Sequence, residues 1–312
     1  AYDQRGAGAR SPAAGRWAWL AHAHRRWLPR RCITLPTIPA ALFFVKPDPA
    51  YLILGLVLLG AGSVISEIAG VNYNATIDQV ATPRTVGRVS GFGWGMGYLG
   101  GIMILLVIIG AFGADLGSDG VRKGMIICGV WTLLFSIPLF LAIKDRKPDH
   151  VPQSLGIIGS YKALFASIKG LWHNSRNTLF FLVASAFFRD GLAGVFAFGG
   201  VLAGTVFGFS FGDVIIFGVV ANVVAGVATM LFGLLDDRIG PKKVIVFSLV
   251  SLVILGLAIF FSARHLIENG LMDEHGVMVF WVLGLLMCVF VGPAQSASRS
   301  FLARLIPHGM SG

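Results

Sequence analysis

The sequence predicts an all-α integral membrane protein built as a bundle of transmembrane helices. Hydrophobic residues make up 55% of the 312 residues and charged residues only 13%, and the mean hydropathy is +0.78. A water-soluble domain of this length does not need so much apolar surface to build its core. Long apolar, glycine-rich stretches recur along the chain, without the alternation of apolar and polar residues that is typical of membrane barrels.

Seven stretches are long enough to cross a bilayer as helices. A hydrocarbon core about 30 Å thick needs roughly 20 apolar residues in helical conformation. The predicted spans cover residues 51–73, 91–111, 125–143, 178–206, 214–235, 244–262 and 277–297. A shorter apolar piece at 33–45 predicts one further, partial helix.

Basic residues are concentrated in alternate connections between the spans, and connections rich in Lys and Arg face the cytoplasm. One set of connections holds thirteen basic residues and the other holds four. The first set is Arg84, Arg88, Lys144, Arg146, Lys147, Lys162, Lys169, Arg176, Arg238, Lys242, Lys243, Arg299 and Arg304, and the second is Lys46, Arg122, Lys123 and Arg264. This asymmetry, with seven arginines before residue 32, accounts for most of the net charge of +10. The lipid bilayer is therefore the expected partner, and nucleic acid is not.

Four segments follow from this pattern. Residues 1–32 are rich in Arg and almost free of acids, and they do not match the remainder; a basic tail or transit-type segment and a fragment or mistranslated gene start both stay open. Residues 33–143 are predicted to be the remnant of an N-terminal helical half. Residues 144–177 form a cytoplasmic central loop, and residues 178–312 a truncated C-terminal helical half.

Within the central loop, residues 160–171 place apolar side chains at helical spacing. They are Tyr161, Leu164, Phe165, Ile168 and Leu171. The pattern fits an interfacial helix along the inner membrane surface and fits a plain linker equally well.

Three ionisable residues lie inside predicted spans: Glu67, Arg189 and Asp190. A charge near the bilayer centre costs at least about 2.5–3.5 kcal/mol, so such residues usually have a function. The span that carries Arg189 and Asp190 is long, and we expect a kink or interruption there that leaves polar groups facing a cavity. The functional interpretation is a substrate contact at Arg189 and a titratable carboxylate at Asp190. The alternative is an ion pair that locks this helix to a neighbour.

Glycines recur every four residues at Gly93, Gly97 and Gly101. Residues 95–100 also spell G-x-G-x-x-G, but that dinucleotide motif requires a strand before it, and here it lies inside an apolar span. We therefore expect no cofactor. The four-residue period places the three glycines on one helix face, where a neighbouring backbone can approach closely.

Enzymatic and metal-binding constellations are not predicted, and neither a catalytic residue nor a metal site is assigned. Cys32, Cys128 and Cys288 are too widely spaced for a disulfide framework or a metal site. The histidines fall in connections and at the ends of the chain, without a carboxylate at ligand spacing.

The run from residue 233 to 243 is a short charged turn between two long apolar segments, which predicts a tight cytoplasmic hinge. It resembles the loop motif of the major facilitator superfamily, G-x-x-x-D-R-x-G followed by two basic residues. The matching positions are Gly233, Asp237, Arg238, Gly240, Lys242 and Lys243, with Pro241 interrupting the basic residues. By this resemblance, the turn joins the eighth and ninth helices of a twelve-helix fold and acts as a conformational latch that forms and breaks as two halves rock.

Further stretches resemble the branch of that superfamily related to the fungal vacuolar amino-acid effluxers, the autophagy-related family. These are residues 72–74 with 85–101, residues 188–200 and residues 292–307. The resemblance covers about residues 38–312 and implies helices four to ten with a remnant of the third. Helices one and two, the first copy of the loop motif and the last two helices of that fold are not in this sequence.

The resemblance implies a secondary active transporter that exports a small polar solute by alternating access, driven by an ion gradient and lying in a bacterial plasma membrane. Amino acids are the substrate class that the resemblance suggests. Arg189, Asp190 and Glu67 are then candidates for the substrate and proton cavity. Two alternatives stay open: a non-transporting membrane scaffold or receptor in which buried charges only hold helices together, and an inactive fragment of a transporter.

Overall fold

The computed structural model describes residues 34–113, 117–142 and 156–305, and all regular structure in these ranges is helical. The helices are α1 Thr34–Leu42, α2 Leu52–Ala75, α3 Ile77–Val80, α4 Val86–Phe112, α5 Gly117–Ala142, α6 Gly156–Asn174, α7 Arg176–Thr205, α8 Phe211–Ile239, α9 Pro241–Glu268 and α10 Met272–Leu305. A 3₁₀ turn at Pro49–Tyr51 leads into α2. The basic segment predicted at residues 1–32 lies outside the described residues.

Seven of these helices are long and apolar enough to cross a membrane: α2, α4, α5, α7, α8, α9 and α10. They correspond one to one with the seven predicted spans, and the short α1 matches the predicted partial helix. The predicted fold class, an all-α bundle of transmembrane helices, is confirmed. The protein is an integral membrane protein that crosses the bilayer several times.

Several helices extend beyond the apolar stretch from which each span was predicted. The first turn of α4 includes Arg88, and the last turns of α10 include Arg299 and Arg304, three residues that the sequence analysis assigned to connections. The charged run after Gly233 is likewise divided between the end of α8 and the start of α9, with Gly240 alone between them. The charged side chains of these segments are therefore held at the ends of helices and not in flexible loops.

Helix α7 is continuous from Arg176 to Thr205. The sequence analysis expected an interruption near Arg189 and Asp190, because the apolar stretch is longer than a bilayer requires. The structure accommodates that length in one unbroken helix, which a tilted span can do.

The chain divides into two compact units, and the described residues of the first are 34–76, 121–142 and 156–179. Within it, α1 packs on α2, where a methyl group built on Gly62 would lie 3.2 Å from Ile38 Cγ2. Arg122 of α5 donates from Nε to the Phe43 carbonyl oxygen at 2.8 Å and lies 5.0 Å from the centroid of the Phe43 ring. These contacts fix the end of α1 against α5.

The second unit comprises residues 77–120 and 180–305, and an aromatic core occupies the N-terminal end of α8. Phe207 and Phe209, in the connection before α8, pack on Phe280 of α10 with ring centroids 4.9 and 5.3 Å away. Ser210 and Asp213 form a capping box, in which each side chain accepts the other residue's backbone N–H. This end of the unit is thereby held by apolar packing and a helix cap.

Candidate functional site

The C-terminal half of α8 crosses the N-terminal half of α4 at glycine-to-glycine contacts. A methyl group built on Gly91 would lie 2.7 Å from the Thr229 carbonyl oxygen and 2.8 Å from Gly233 Cα. A methyl group on Gly95 would lie 2.8 Å from the Gly226 carbonyl oxygen. Since there is no room for a Cβ, the two backbones are in direct contact, as in other small-residue helix crossings in membranes. We call this contact the glycine crossing (Gly87, Gly91 and Gly95 with Gly226 and Gly233).

The glycine crossing brings Asp237, near the end of α8, to the first turn of α4. Its carboxylate accepts the backbone N–H groups of Gly87 at 2.8 Å and Arg88 at 3.1 Å. The first N–H groups of a helix have no partner within the helix, and a negative charge there is stabilised by the helix dipole. Thr85, the N-cap residue of α4, makes no side-chain cap hydrogen bond. Asp237 therefore caps a helix to which it does not belong.

Two arginines complete the charge balance around Asp237. Arg88 donates from Nε to Asp237 Oδ2 at 3.0 Å, and Arg304 of α10 donates from Nη2 to Asp237 Oδ1 at 3.0 Å. The other terminal nitrogen of Arg304, Nη1, lies 2.8 Å from Asp236 Oδ1. The Arg304 guanidinium thus bridges two adjacent carboxylates, a geometry that a planar fork of donors supports.

Asp236 is the most deeply buried acid of the group, with 1% of its surface exposed. Its second oxygen accepts a hydrogen bond from the Ser300 hydroxyl, so both oxygens have partners. Arg304 also donates from Nε to the Pro83 carbonyl oxygen at 3.2 Å. Arg88, Asp236, Asp237, Ser300 and Arg304, which we call the charged cluster, join α4, α8 and α10 through side chains near their ends.

One turn further along α4, a second polar contact joins it to α10. Ser90 is fully buried, and its hydroxyl donates to the Ser296 carbonyl oxygen at 2.7 Å. Arg299 donates from Nε to Ser90 Oγ at 2.9 Å and from Nη2 to the Ser90 carbonyl oxygen at 2.8 Å. Buried polar groups with all partners in place fix one particular arrangement of the helices.

The remaining residues of the predicted latch lie beside the charged cluster. Gly240 has φ +89°, a value that favours glycine, and its N–H donates to the Asp236 carbonyl oxygen at 2.9 Å. Arg238, Lys242 and Lys243 are exposed at the adjoining ends of α8 and α9. Gly233 and Asp237 are thus the two latch residues in contact with α4, and the three basic residues face outward.

Sequence reasoning missed Asp236, Arg304, Ser300 and the Ser90 contact. A signal was present for Arg304, because it follows a serine-rich stretch in which small polar side chains allow close helix packing. Ser296, Ser298 and Ser300 are all buried there.

The predicted cavity residues are exposed in the structure. Arg189 and Asp190 lie on the surface of α7, and Glu67 lies on the surface of α2. Among the described residues, none of the three forms an ion pair.

The close helix contacts of α4 fall at Gly87, Gly91 and Gly95 and not at the glycines predicted to make them. A methyl group built on Gly97 or Gly101 would meet no atom of the described chain within 4 Å, and Gly93 is partly exposed. Both sets have the four-residue period, so they occupy different faces of the same helix. The face that carries Gly91 is the one that α8 contacts.

Beyond the glycine crossing, an apolar cavity of about 270 Å³ is lined by α4 and α8. Ile102 and Ile109 of α4 and Ile215 of α8 line it, together with Asn222. The Asn222 side-chain amide donates to the Gly218 carbonyl oxygen of its own helix at 2.7 Å. The cavity thus lies toward the ends of α4 and α8 that are away from the charged cluster.

Among the described residues, the structure shows neither a disulfide nor a candidate metal site. Cys128 and Cys288 are free thiols, and no group of three or more His, Cys, Asp or Glu side chains there could hold a metal ion.

Comparison with known proteins gives one family. The family model described as "Vacuole effluxer Atg22 like" matches residues 64–311. An uncharacterised MFS-type transporter of Bacillus subtilis, YxiO, is 26% identical over 279 residues, which are 86% of this chain and 60% of that protein. Autophagy-related protein 22-1 of Neosartorya fischeri is 26% identical over 77% of this chain and 43% of its own length. The protein of the same name from Aspergillus fumigatus is 26% identical over 71% and 39%.

This chain spans less than two thirds of the length of each of these relatives. No solved structure matches it. The family match covers most of the chain, and the seven transmembrane helices agree with it. The chain belongs to the vacuole effluxer Atg22-like family of major facilitator transporters.

Proposed function

We propose that this chain forms the principal part of a secondary active transporter that exports a small polar solute by alternating access. The observation that carries the proposal is the cap that Asp237 of α8 provides for α4, 150 positions earlier in the sequence. In a major facilitator transporter two halves rock about a central site. The sequence assigns α4 to one half and α8 and α10 to the other, so the charged cluster would bridge them.

The charged cluster has the properties of a reversible latch. Its contacts lie near helix ends and involve side chains and the free N–H groups of a first turn, so they can separate without breaking hydrogen bonds inside a helix. The distribution of basic residues places these ends on the cytoplasmic side. When α4 separates from α8, water and lipid headgroups would solvate the charges of Asp237 and Arg88. This solvation would replace the lost ion pair, so the open and closed states would have similar free energies. The exposed Arg238, Lys242 and Lys243 would rest among headgroups in both states.

The solute path is assigned to Arg189, Asp190 and Glu67. All three are ionisable residues on membrane-spanning helices, where charge is costly and is retained mainly for function. Arg189 would bind an anionic group of the solute, and Asp190 would exchange protons with the coupling gradient. The resemblance of the sequence to the fungal vacuolar amino-acid effluxers suggests amino acids as the substrate class, and the relative from Bacillus subtilis suggests a bacterial plasma membrane.

Transport by the complete gene product in sealed vesicles tests this proposal. Uptake and efflux of a radiolabelled amino-acid mixture would be measured for the native protein, Arg189→Ala and Asp190→Asn. We expect a loss of at least about tenfold for Arg189→Ala, and a flattened pH dependence for Asp190→Asn because an amide cannot carry the coupled proton. Arg264→Ala is the matched control, since Arg264 pairs only with the neighbouring exposed Glu268 on the described surface of α9. Native rates and unchanged pH dependence in both variants would remove Arg189 and Asp190 from the mechanism.

A further inference from the structure

Helix α6 exposes a continuous row of large apolar side chains. Ile158 is 74% exposed and Phe165 68% exposed. The row comprises Ile158, Tyr161, Leu164, Phe165, Ile168 and Trp172. We call it the α6 stripe. Water-soluble proteins rarely leave so many large apolar residues exposed on one helix, so a partner must cover them.

The α6 stripe occupies one side of the helix. At 3.6 residues per turn, its members fall within an arc of about 120°. Four further exposed residues fall outside that arc, and none of them is acidic: Lys162, Ala166, Lys169 and His173. No Asp or Glu occurs between Gly156 and Asn174. The helix is therefore amphipathic, and the charged residues beside the α6 stripe are all basic.

Helix α6 ends directly before a helix that is long and apolar enough to cross the membrane. Ser175 alone separates α6 from α7, which is a membrane-spanning helix. The Ser175 carbonyl oxygen accepts the Thr178 N–H at 3.1 Å, so α7 starts directly at this residue. Arg176 lies 5.1 Å from the centroid of the Trp172 ring and donates from Nε to the Trp172 carbonyl oxygen at 3.3 Å. Tryptophan and arginine are residues typical of the interface between hydrocarbon and headgroups.

We propose that α6 lies along the cytoplasmic surface of the bilayer, with the α6 stripe inserted among the upper acyl chains and Lys162 and Lys169 directed to anionic lipid headgroups. Three observations select lipid as the partner. α6 is followed after one residue by a membrane-spanning helix, its polar side carries the positive charge that anionic lipid attracts, and Trp172 and Arg176 at its end are residues typical of the membrane interface. Amphipathic helices with this arrangement bury their apolar side to a depth of about 5–10 Å. This inference does not depend on transport.

Spin labels on the whole chain in lipid vesicles test the proposal. Cys32, Cys128 and Cys288 are first replaced by alanine, and single cysteines are then placed along α6. The substitutions Tyr161→Cys, Leu164→Cys, Phe165→Cys and Ile168→Cys sample the α6 stripe, while Lys162→Cys, Ala166→Cys and Lys169→Cys sample the exposed side next to it. All seven positions are exposed, so each label can be attached without repacking a core. Collision of the label with oxygen, which partitions into lipid, is compared with its collision with a water-soluble nickel complex.

We expect the ratio of oxygen to nickel collisions to be several-fold higher at the four stripe positions than at the three others, with a helical period. High nickel collision at every position would overturn the proposal, because the stripe would face water. Low collision with both reagents at the stripe positions would also overturn it, because protein would cover the stripe. In vesicles of neutral phosphatidylcholine alone, the ratio at Phe165→Cys should fall relative to vesicles containing phosphatidylglycerol. An unchanged ratio would contradict the role of anionic lipid.

Discussion

At the scale of single residues, Asp237 stands out because it stabilises the first turn of a distant helix. Its side chain is 8% exposed and contacts two backbone N–H groups and two arginines. The sequence motif identified Asp237 as a latch residue, but its partners could not be predicted, since Gly87 and Arg88 lie about 150 positions away. Periodicity and motif spacing report on neighbours along the chain, not on contacts of that range.

Asp237→Asn should destabilise the protein by about 3 kcal/mol, the lower end of the range for removing one partner of a buried ion pair. An amide can still accept one N–H from α4, but it no longer balances Arg88 and Arg304. The measurement is the thermal unfolding of the purified protein in detergent. Asp213→Asn is the matched control, since it removes a carboxylate from an exposed cap at the other end of α8. Equal shifts for the two variants would show that the position of the charge does not matter.

Arg304→Lys tests the bridge between the two acids. A lysine carries one compact charge and cannot donate to Asp236, Asp237 and the Pro83 carbonyl oxygen as the guanidinium does. Loss of charged hydrogen bonds should lower the free energy of unfolding by about 1.5–3 kcal/mol. Arg264→Lys is the control, because the ion pair between Arg264 and Glu268 is exposed and contributes little to the free energy of unfolding. Denaturant or thermal unfolding that is insensitive to Arg304→Lys would contradict a structural role for the fork of donors.

At the scale of elements, α4 shows why a glycine period does not identify a helix interface. The helix has glycines at four-residue spacing on two faces, and the sequence analysis selected the face with Gly97 and Gly101. The structure instead uses the face with Gly91, because α8 presents Gly226 and Gly233 to it. The choice depends on the partner helix, so a single helix cannot reveal it.

Gly91→Ala and Gly97→Ala should have opposite effects on stability. Alanine is favoured over glycine inside a helix by about 0.8–1 kcal/mol, so Gly97→Ala, whose added methyl group meets no atom of the described chain within 4 Å, should be stabilising. At Gly91 the same methyl group would contact backbone atoms 2.7 and 2.8 Å away, so α4 and α8 must separate and the melting temperature should fall. The measurement is the melting temperature of each purified variant relative to the native protein, which should be lower for Gly91→Ala only. A fall of the same size in both variants would exclude the glycine crossing as its cause.

At the scale of the whole molecule, the number and order of the transmembrane helices were predictable, because the cost of unpaired backbone groups in lipid restricts each span to a long apolar helix. The ends were less predictable: Arg88, Arg299 and Arg304 extend helices past the apolar stretch, since their charges are satisfied by other helices. The glycine crossing and the charged cluster depend on packing between separate parts of the chain. Patterns of neighbouring residues along the sequence therefore could not predict these two contacts.

Alternating access predicts that opening the charged cluster changes the side from which water reaches the solute path. A cysteine can be placed at Gly194 of α7, where an added Cβ meets no described atom within 4 Å. In a background without other cysteines, its reaction with a membrane-impermeant thiol reagent is measured from each side of sealed vesicles. Asp237→Asn should increase labelling from the cytoplasmic side at the expense of the other side. Labelling that never changes sides would favour the scaffold over the transporter, and Asp213→Asn serves again as the control.

The cap on α4 also affects how the protein is made. Asp237, whose carboxylate pairs with the first N–H groups of α4, is synthesised 150 residues after Gly87, a delay of roughly 8 to 30 seconds at about 5–20 residues per second. During that interval, water or lipid headgroups must solvate the start of α4 at the edge of the membrane. Biogenesis of this protein therefore includes a late docking step, and a nascent chain halted before residue 237 would leave α4 open to quality-control proteases.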